Sequence, residues 1–126
     1  MAYVDGFVVP VPKQKLDAYL DMSRQCAAIW REFGALEFRE CVADDVKPGK
    51  LTSFPQSVDL RDDEVVIFSW ITYPSRAKRD EVNEKVMQDP RMAAFMTPEG
   101  MPFDGKRMIY GGFEMVVDVP GKGAAG

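Results

Sequence analysis

The sequence contains no histidine. Histidine is the usual acid or base near neutral pH and the commonest side-chain ligand of metals. Its absence excludes Ser-His-Asp and Cys-His catalytic arrangements and most zinc and haem sites. Any chemistry would therefore depend on carboxylates, tyrosine, lysine, arginine, cysteine or a bound group, and the sequence predicts no metal and no cofactor.

Cysteine, long apolar runs and excess charge are also scarce. The only two cysteines, Cys26 and Cys41, do not form a disulfide framework, and we expect reduced thiols in a cytoplasmic protein. The first apolar run has no basic residue ahead of it and is interrupted by Asp5 and Gly6, which argues against a signal peptide. No stretch is long enough to span a membrane. The net charge of −4 gives no field that would attract nucleic acid or an anionic membrane.

What is present is the composition of an ordinary folded domain, with 46% apolar and 29% charged residues. A chain of 126 residues can bury a core without disulfides. We expect one domain over residues 1–119 and a flexible Gly/Ala-rich tail over residues 120–126.

Hydrophobic periodicity predicts four strands and two long helices. The predicted strands are Tyr3–Val11, Ala35–Ala43, Glu64–Tyr73 and Lys106–Val119, and the predicted helices are Lys13–Phe33 and Arg76–Gln88. A short extended segment is also expected at Phe54–Leu60. The order strand–helix–strand–strand–helix–strand favours an α+β fold, in which a four-stranded antiparallel sheet carries both helices on one face.

The strands carry large apolar side chains on both faces, although the helices would cover only one. In the third strand, Phe68 and Trp70 alternate with Ile67 and Ile71. An uncovered face of this kind would expose several hundred square ångströms of apolar surface, which soluble monomers rarely tolerate. The sequence therefore predicts a homodimer in which two sheets pack face to face.

Polar residues within the predicted strands are the candidate site residues. We expect the face away from the helices to carry a set of aromatic side chains, namely Phe7, Phe68, Trp70 and Tyr110. Alternation along each strand then places Asp5, Arg39 and Glu114 on the same face. Aromatic rings with a few converging polar groups are typical of a ligand cavity.

Two interpretations of these residues remain open. In the first, Asp5 or Glu114 is a general base whose pKa is raised by burial, and Tyr110 is a proton donor. Arg39 would then anchor an anionic group, with Phe7 and Trp70 lining the ligand. In the second, Arg39 pairs with a carboxylate across the dimer interface and only sets its register.

Several segments together resemble one bacterial family. The longest is Met101–Glu114 (Met-Pro-Phe-Asp-Gly-Lys-Arg-Met-Ile-Tyr-Gly-Gly-Phe-Glu); the others are Tyr3–Val9, Phe33–Leu36, Phe68–Ile71, Tyr73–Ser75 and Asp89–Met92. They cover nearly the whole chain apart from the tail, and they resemble the small YbaA-like proteins, domain of unknown function 1428. The Thr97–Gly100 loop is slightly longer than is typical of the family.

The resemblance implies a ferredoxin-like fold that assembles as a dimeric α+β barrel. It implies no activity, so it does not say whether the protein is an enzyme. We therefore expect a small cytosolic homodimer that binds or converts a small molecule in a cavity between the two sheets. The alternative is a non-catalytic structural or stress-related interaction protein. RNA binding, which has been linked to some members, gains no support from an acidic chain without an aromatic-plus-basic pattern.

Overall fold

The computed structural model describes residues 1–123, which form an α+β domain. The elements in chain order are β1 (Tyr3–Pro12), α1 (Leu16–Phe33), β2 (Glu37–Val42), α2 (Phe54–Ser57), β3 (Glu64–Tyr73), α3 (Arg76–Gln88) and β4 (Ile109–Glu114). Short 3-10 turns lie at Lys13–Lys15, Pro90–Phe95 and Pro98–Gly100. The predicted bounds of β3 and α3 agree with these elements residue for residue.

The four strands form one antiparallel sheet in the order β2-β3-β1-β4. β1 pairs with β3 over its whole length, from Tyr3 opposite Tyr73 to Pro12 opposite Glu64. β4 pairs only with Tyr3–Val8, so the rest of β1 has a free edge on that side. A proline at a free edge removes no ladder hydrogen bond, and β1 therefore continues through Pro10 and Pro12 rather than ending there.

Both long helices pack on one face of the sheet, which we call the helix face. The buried residues of α1 are Tyr19, Ser23, Cys26 and Ile29, and those of α3 are Val82 and Val86. They form a core with the strand residues whose side chains alternate onto that face, among them Tyr3, Val9, Ile67, Ile71 and Tyr73. The predicted sheet with its helices on one side is confirmed.

Local signals position the ends of both helices. α1 ends at Gly34, whose backbone has φ 121°, a conformation that residues other than glycine rarely adopt. α3 begins at Ser75, whose side chain accepts a hydrogen bond from the backbone N–H of Lys78 at 3.1 Å. Asp89–Pro90 ends α3, as predicted from the sequence.

The opposite face, which we call the open face, is covered only at one end. There Val58 and Leu60, which follow α2, pack on Val8 and Val66. Away from that end, the apolar side chains of this face are at least partly exposed, including Phe68, Ile109 and Phe113. The sheet of a single chain thus has one buried face and one largely exposed apolar face.

Two predicted segments differ from the structure. The extended segment expected at Phe54–Leu60 is wrong, because Ser53 caps a short helix by accepting a hydrogen bond from the backbone N–H of Gln56. β4 spans Ile109–Glu114 rather than Lys106–Val119, and its start is delayed because Asp104 and Arg107 form a turn closed by a backbone hydrogen bond. The Gly/Ala tail stays a prediction, and residues 124–126 lie outside the described part of the chain.

None of the helices formed by residues 1–123 combines the length and apolarity that a membrane crossing needs.

Candidate functional site

The strand register separates the sequence-predicted site residues into two groups. Asp5 and Phe7 of β1 lie opposite Gly112 and Tyr110 of β4, and all of these positions belong to the helix face. Arg39 lies opposite Trp70 on the open face. The expectation that the candidates share the open face is therefore wrong.

The prediction is wrong about which residues of β1 and β3 share a face of the sheet. Phe7 pairs with Ser69, while Phe68 pairs with Val8, so Phe7 and Phe68 point to opposite faces. Both strands alternate apolar residues on both faces, and each strand read alone is compatible with either orientation.

Of the candidates, only Phe7 and Arg39 border the cavity beneath α1. Tyr110 stacks on Phe7 with ring centroids 6.2 Å apart, but its side chain is 72% exposed. Glu114, at the end of β4, is exposed. Arg39 is exposed as well and pairs with Glu37 on its own strand at 3.3 Å. A ligand-binding or catalytic role for these residues stays a prediction.

A cavity of about 270 Å³ lies between α1, the helix face of the sheet and the loop that precedes β4. Its walls are mainly aromatic rings and thioethers. The aromatic members are Phe7, Tyr19, Trp30, Phe38 and Phe103, and the methionines are Met22, Met87, Met101 and Met108. Such walls are apolar, and the methionines can adapt to the shape of an occupant.

The main polar feature of this cavity is the carboxylate of Glu40, in the middle of β2. Tyr19 donates its hydroxyl hydrogen to Oε2 at 2.9 Å, and Ser23 donates to Oε1 at 2.9 Å. Both donors lie on α1, one helical turn apart, directly above the strand. No lysine or arginine of residues 1–123 lies within ion-pair distance of Glu40. Burial raises the pKa of Glu40, and the two hydrogen bonds only partly offset this effect.

The carboxylate also affects the two titratable groups above it. Burial and the negative charge of Glu40 raise the pKa of Tyr19 well above its ordinary value. The same two causes raise the pKa of the Cys26 thiol to about 11. Both groups are neutral at neutral pH, so Tyr19 acts as a hydrogen-bond donor and Cys26 is a poor nucleophile.

Sequence reasoning did not identify Glu40 as a site residue, although a signal was present. In β2, Glu40 occupies the same alternating row as Leu36, Phe38 and Val42, so it is a carboxylate in an otherwise apolar row. Tyr19 and Ser23 likewise lie in the apolar stripe of α1. Polar groups in the buried rows of two adjacent elements indicate a hydrogen-bonded cluster between them.

A second buried polar cluster lies between β1, β3 and α3. Arg79 of α3 turns inward and donates from Nη2 to the Tyr3 hydroxyl at 3.0 Å, with its Nε 3.8 Å from an oxygen of Asp5. Burial raises the pKa of Asp5, while Arg79, Asn83 and Tyr73 oppose this rise. Arg79 is thus largely buried, although the neighbouring side chains of Arg76 and Asp80 are exposed.

Asn83 connects the second cluster to the cavity wall. Its side-chain oxygen accepts hydrogen bonds from Trp30 Nε1 at 3.2 Å and from the Tyr73 hydroxyl at 3.4 Å. Trp30 is one of the cavity aromatics. The hydrogen bond from Trp30 to Asn83 therefore fixes the orientation of the indole ring.

One of the two β4 glycines is required by this cluster. A Cβ at Gly112 would overlap the Tyr3 hydroxyl and would lie 2.8 Å from Arg79 Nη2. A Cβ at Gly111 would come no closer than 3.5 Å to Phe113. The register with β1 is continuous through both positions, so close approach rather than a bulge explains Gly112.

An ion-pair cluster around Arg107 holds the loop that covers the cavity. Arg107 donates from Nη1 to Glu64 Oε1 at 2.8 Å and to the backbone carbonyl of Asp59 at 2.9 Å, and from Nε to Asp104 at 3.0 Å. The hydrogen bonds from Arg107 hold the pKa of Glu64 below its ordinary value. The loop is thus attached to the start of β3 and to the segment after α2.

Residues 1–123 contain no group of three Cys, Asp or Glu side chains placed to hold a metal ion. Glu40 alone would supply a carboxylate to the cavity, with Tyr19 and Ser23 already bonded to it. The arrangement is suited to accepting hydrogen bonds from a small molecule.

Comparison with known proteins identifies the family. The model of a family described as "Protein of unknown function (DUF1428)" matches residues 2–105. The chain is 56% identical over 118 residues to the "Uncharacterized protein YbaA" of Escherichia coli strain K12, covering 94% of this chain and 99% of that protein. The protein of the same description from Shigella flexneri gives the same values. The family match spans most of the chain and these relatives align over almost their whole length, so the chain belongs to the DUF1428 family of YbaA-like proteins.

Proposed function

We propose that the protein binds a small, largely apolar molecule in the cavity beneath α1. The observation that carries the proposal is the Glu40 carboxylate, which faces this cavity of about 270 Å³ without a counter-charge from residues 1–123. Glu40 is half-buried, and placing a carboxylate beside apolar walls costs free energy, which is difficult to explain by packing alone.

Size and lining support this proposal. Ligand pockets usually enclose about 300–1,000 Å³ and combine apolar walls with a few polar groups. The cavity is close to the lower end of that range, so it suits a molecule of about ten non-hydrogen atoms. The sequence predicts a cavity between two sheets, but this cavity lies within one chain, and we place the binding site there.

Glu40 and Tyr19 could also move a proton to or from an occupant, as a base and a donor within hydrogen-bond reach of each other do in many enzymes. Proton transfer would require a substrate whose reacting atom lies beside Glu40. We therefore propose binding only, because a reaction can be assigned once the occupant is identified.

The proposal includes a homodimer formed through the open face. It is supported by the exposed side chains of Phe68, Ile109 and Phe113, which a second copy would cover. The strand order β2-β3-β1-β4, with one long helix after β1 and another after β3, supports a ferredoxin-like arrangement and hence a dimeric α+β barrel. Two free cysteines support a cytoplasmic location.

Methyl NMR of ¹³C-labelled methionines tests the cavity directly, with indole as a neutral apolar probe. Of the eight methionines, Met22, Met87, Met101 and Met108 line the cavity. We expect indole to shift these four signals and to leave those of Met1 and Met115 unchanged. Uniform small shifts, or none, would contradict the proposal.

A cavity-filling variant provides the control. Ser69 is buried on β3 and lines the cavity, so Ser69→Leu adds apolar volume there. Ser57→Leu makes the same change at an exposed position of α2. Indole should lose its effect on the cavity methionines in Ser69→Leu and keep it in Ser57→Leu.

The alternative function is an interaction protein that uses the open face to bind a different protein. The observation in its favour is the same apolar face. It would be preferred if the purified chain were monomeric and indole left the cavity methionines unaffected.

A further inference from the structure

Building on the proposed function, we infer that the occupant of this cavity is an organic amine: an apolar, preferably aromatic body that carries one ammonium group against Glu40. The polar and apolar parts of the cavity together would recognise this chemical class. The charge of the ligand is the property that the proposed function leaves open.

The hydrogen bonds of Glu40 leave acceptor capacity for such a group. A carboxylate offers about four lone-pair positions, and each oxygen of Glu40 accepts one hydrogen bond from α1. Tyr19 and Ser23 hold the carboxylate in place without neutralising it. An ammonium group has three donors and no acceptor, so it complements what remains.

The charge balance of the cavity also favours a cation. Arg39 also borders the cavity, but its side chain is exposed, pairs with Glu37 and forms no ion pair with Glu40. Tyr19 and Cys26 remain neutral at neutral pH. A bound ammonium would supply the missing counter-charge in a site of low polarity, where an ion pair with good hydrogen bonds is strongest. A carboxylate ligand would be repelled.

The walls provide a surface for the rest of the molecule. Trp30 and Phe38 are tilted with ring centroids 6.0 Å apart, and Tyr19 meets Phe103 edge to face at 5.6 Å. Aromatic faces attract cations and pack well against apolar groups. The Asn83 hydrogen bond fixes the orientation of Trp30, so part of this surface is ordered before binding.

Three probes of similar size separate ligand charge from ligand shape. They are 2-phenylethylamine, which is cationic at neutral pH, 2-phenylethanol, which is neutral, and phenylacetate, which is anionic. Binding is measured in Trp70→Phe, which leaves Trp30 as the fluorescent reporter in the cavity, and by methionine methyl NMR on the unmodified chain. We expect the amine to bind at least about tenfold more tightly than the alcohol, as a charge-assisted hydrogen bond would produce, and phenylacetate to bind most weakly.

The variant Glu40→Gln tests the residue that carries the inference. It removes the charge and keeps the shape, so the preference for amine over alcohol should disappear while the affinity for the alcohol changes little. The matched control is Glu37→Gln, which makes the same change on the same strand but on the open face. This control should retain the preference.

A measurement on the unmodified chain keeps the inference testable if Glu40→Gln does not fold. The affinity for 2-phenylethylamine should fall as Glu40 becomes protonated at acid pH, while the affinity for 2-phenylethanol should not. The groups that face Glu40 from α1 are Tyr19, Ser23 and Cys26, and Ser69 faces it from β3. None of them changes charge at acid pH, so the effect would report on Glu40.

The outcomes separate this inference from the proposed function. If the alcohol binds as tightly as the amine, or Glu40→Gln keeps the preference, the cavity binds small molecules but the amine class is wrong. If none of the probes shifts the cavity methionines and indole also fails, the proposed function itself is wrong. If phenylacetate binds best, the charge argument is overturned.

Discussion

At the scale of single residues, buried polar groups determine what this domain can do. Glu40 is a carboxylate on the helix face whose pKa burial raises, whereas the Arg107 ion pair lowers the pKa of Glu64. A buried charge with a partner stabilises a fold differently from one without a partner. Carboxylates with and without a partner can be distinguished by how the free energy of unfolding changes with pH.

Glu40 should reduce stability as pH rises. Its pKa is higher in the folded than in the unfolded chain, so its contribution is complete below the unfolded value of 4.5 and is lost as pH rises through the folded pKa. Glutamine does not titrate. The free energy of unfolding of Glu40→Gln relative to wild type should therefore increase between about pH 4 and 7 in urea titrations.

The stability of Glu64→Gln relative to wild type should change with pH in the opposite direction. The folded pKa of Glu64 is depressed, so its contribution is present above 4.5 and is lost as pH falls through the folded value. Relative to wild type, Glu64→Gln should lose stability as pH rises towards 4.5 and should change little above that pH. Parallel slopes for the two variants would contradict the assignment of Glu40 as a carboxylate without a counter-charge.

The two adjacent glycines of β4 should respond differently to the same substitution. Gly112→Ala forces Tyr3 and Arg79 to move, because the new methyl group would overlap them. We expect a loss of about 1–3 kcal/mol, as for other overpacked sites. Gly111→Ala meets only Phe113 at 3.5 Å and should change stability by less than about 1 kcal/mol. Urea midpoints of the two variants test this, and equal losses would mean that the Tyr3–Arg79 contact does not determine the requirement for glycine.

At the scale of elements, the loop before β4 decides access to the cavity. Met101, Phe103 and Met108 of this loop line the cavity, and Arg107 attaches the same loop to Glu64 and to the segment after α2. α1 and β2 carry the polar cluster, and the loop covers it. Opening of the loop would therefore widen the access to a cavity that is already partly open to solvent.

Arg107→Met should increase access to the cavity. In a Cys41→Ser background, Cys26 is the remaining thiol and lines the cavity, so its reaction with a small maleimide reports on opening. Loss of the Arg107 hydrogen bonds should increase the labelling rate about tenfold or more, because local opening becomes less costly. The adjacent exposed residue provides the control Lys106→Met, which should label at the wild-type rate. If Arg107→Met unfolds the chain, the double change with Glu64→Gln removes the unpaired buried charge and repeats the test.

At the scale of the whole molecule, the sheet has one covered and one open face. The open face carries Phe113, which is 61% exposed, beside Ile109 and Phe68. A second copy would bury these residues, and the helices of each chain would then lie on the outside. This assembly would leave the cavity beneath α1 in each chain separate from the interface.

Phe113→Glu should dissociate the proposed dimer. Leu36→Glu is the matched control, because Leu36 is 59% exposed but lies beside α1, in the row that alternates onto the helix face. Light scattering should show a monomer for Phe113→Glu and a dimer for wild type and Leu36→Glu. A wild-type chain that is monomeric at micromolar concentration would exclude the dimer.

The sequence by itself determined the four strands, the two long helices and their order, but not the short helix α2. The apolar stripe of α1, the continuous apolar run of β3 and the caps at Gly34 and Ser75 are local patterns, and local sterics and hydrogen bonds suffice to place them. Alternation along each strand likewise divided its residues correctly into two rows. The family resemblance was present in the same segments.

Only the tertiary structure decided which rows share a face. That choice depends on the register between strands, and β1 and β3 carry apolar residues in both rows, so neither strand alone favours one orientation. The pairing of Phe7 with Ser69 placed Asp5 on the helix face and Arg39 and Trp70 on the other. It also brought Glu40 beneath Tyr19 and Ser23, because contacts between distant segments form only when the chain packs.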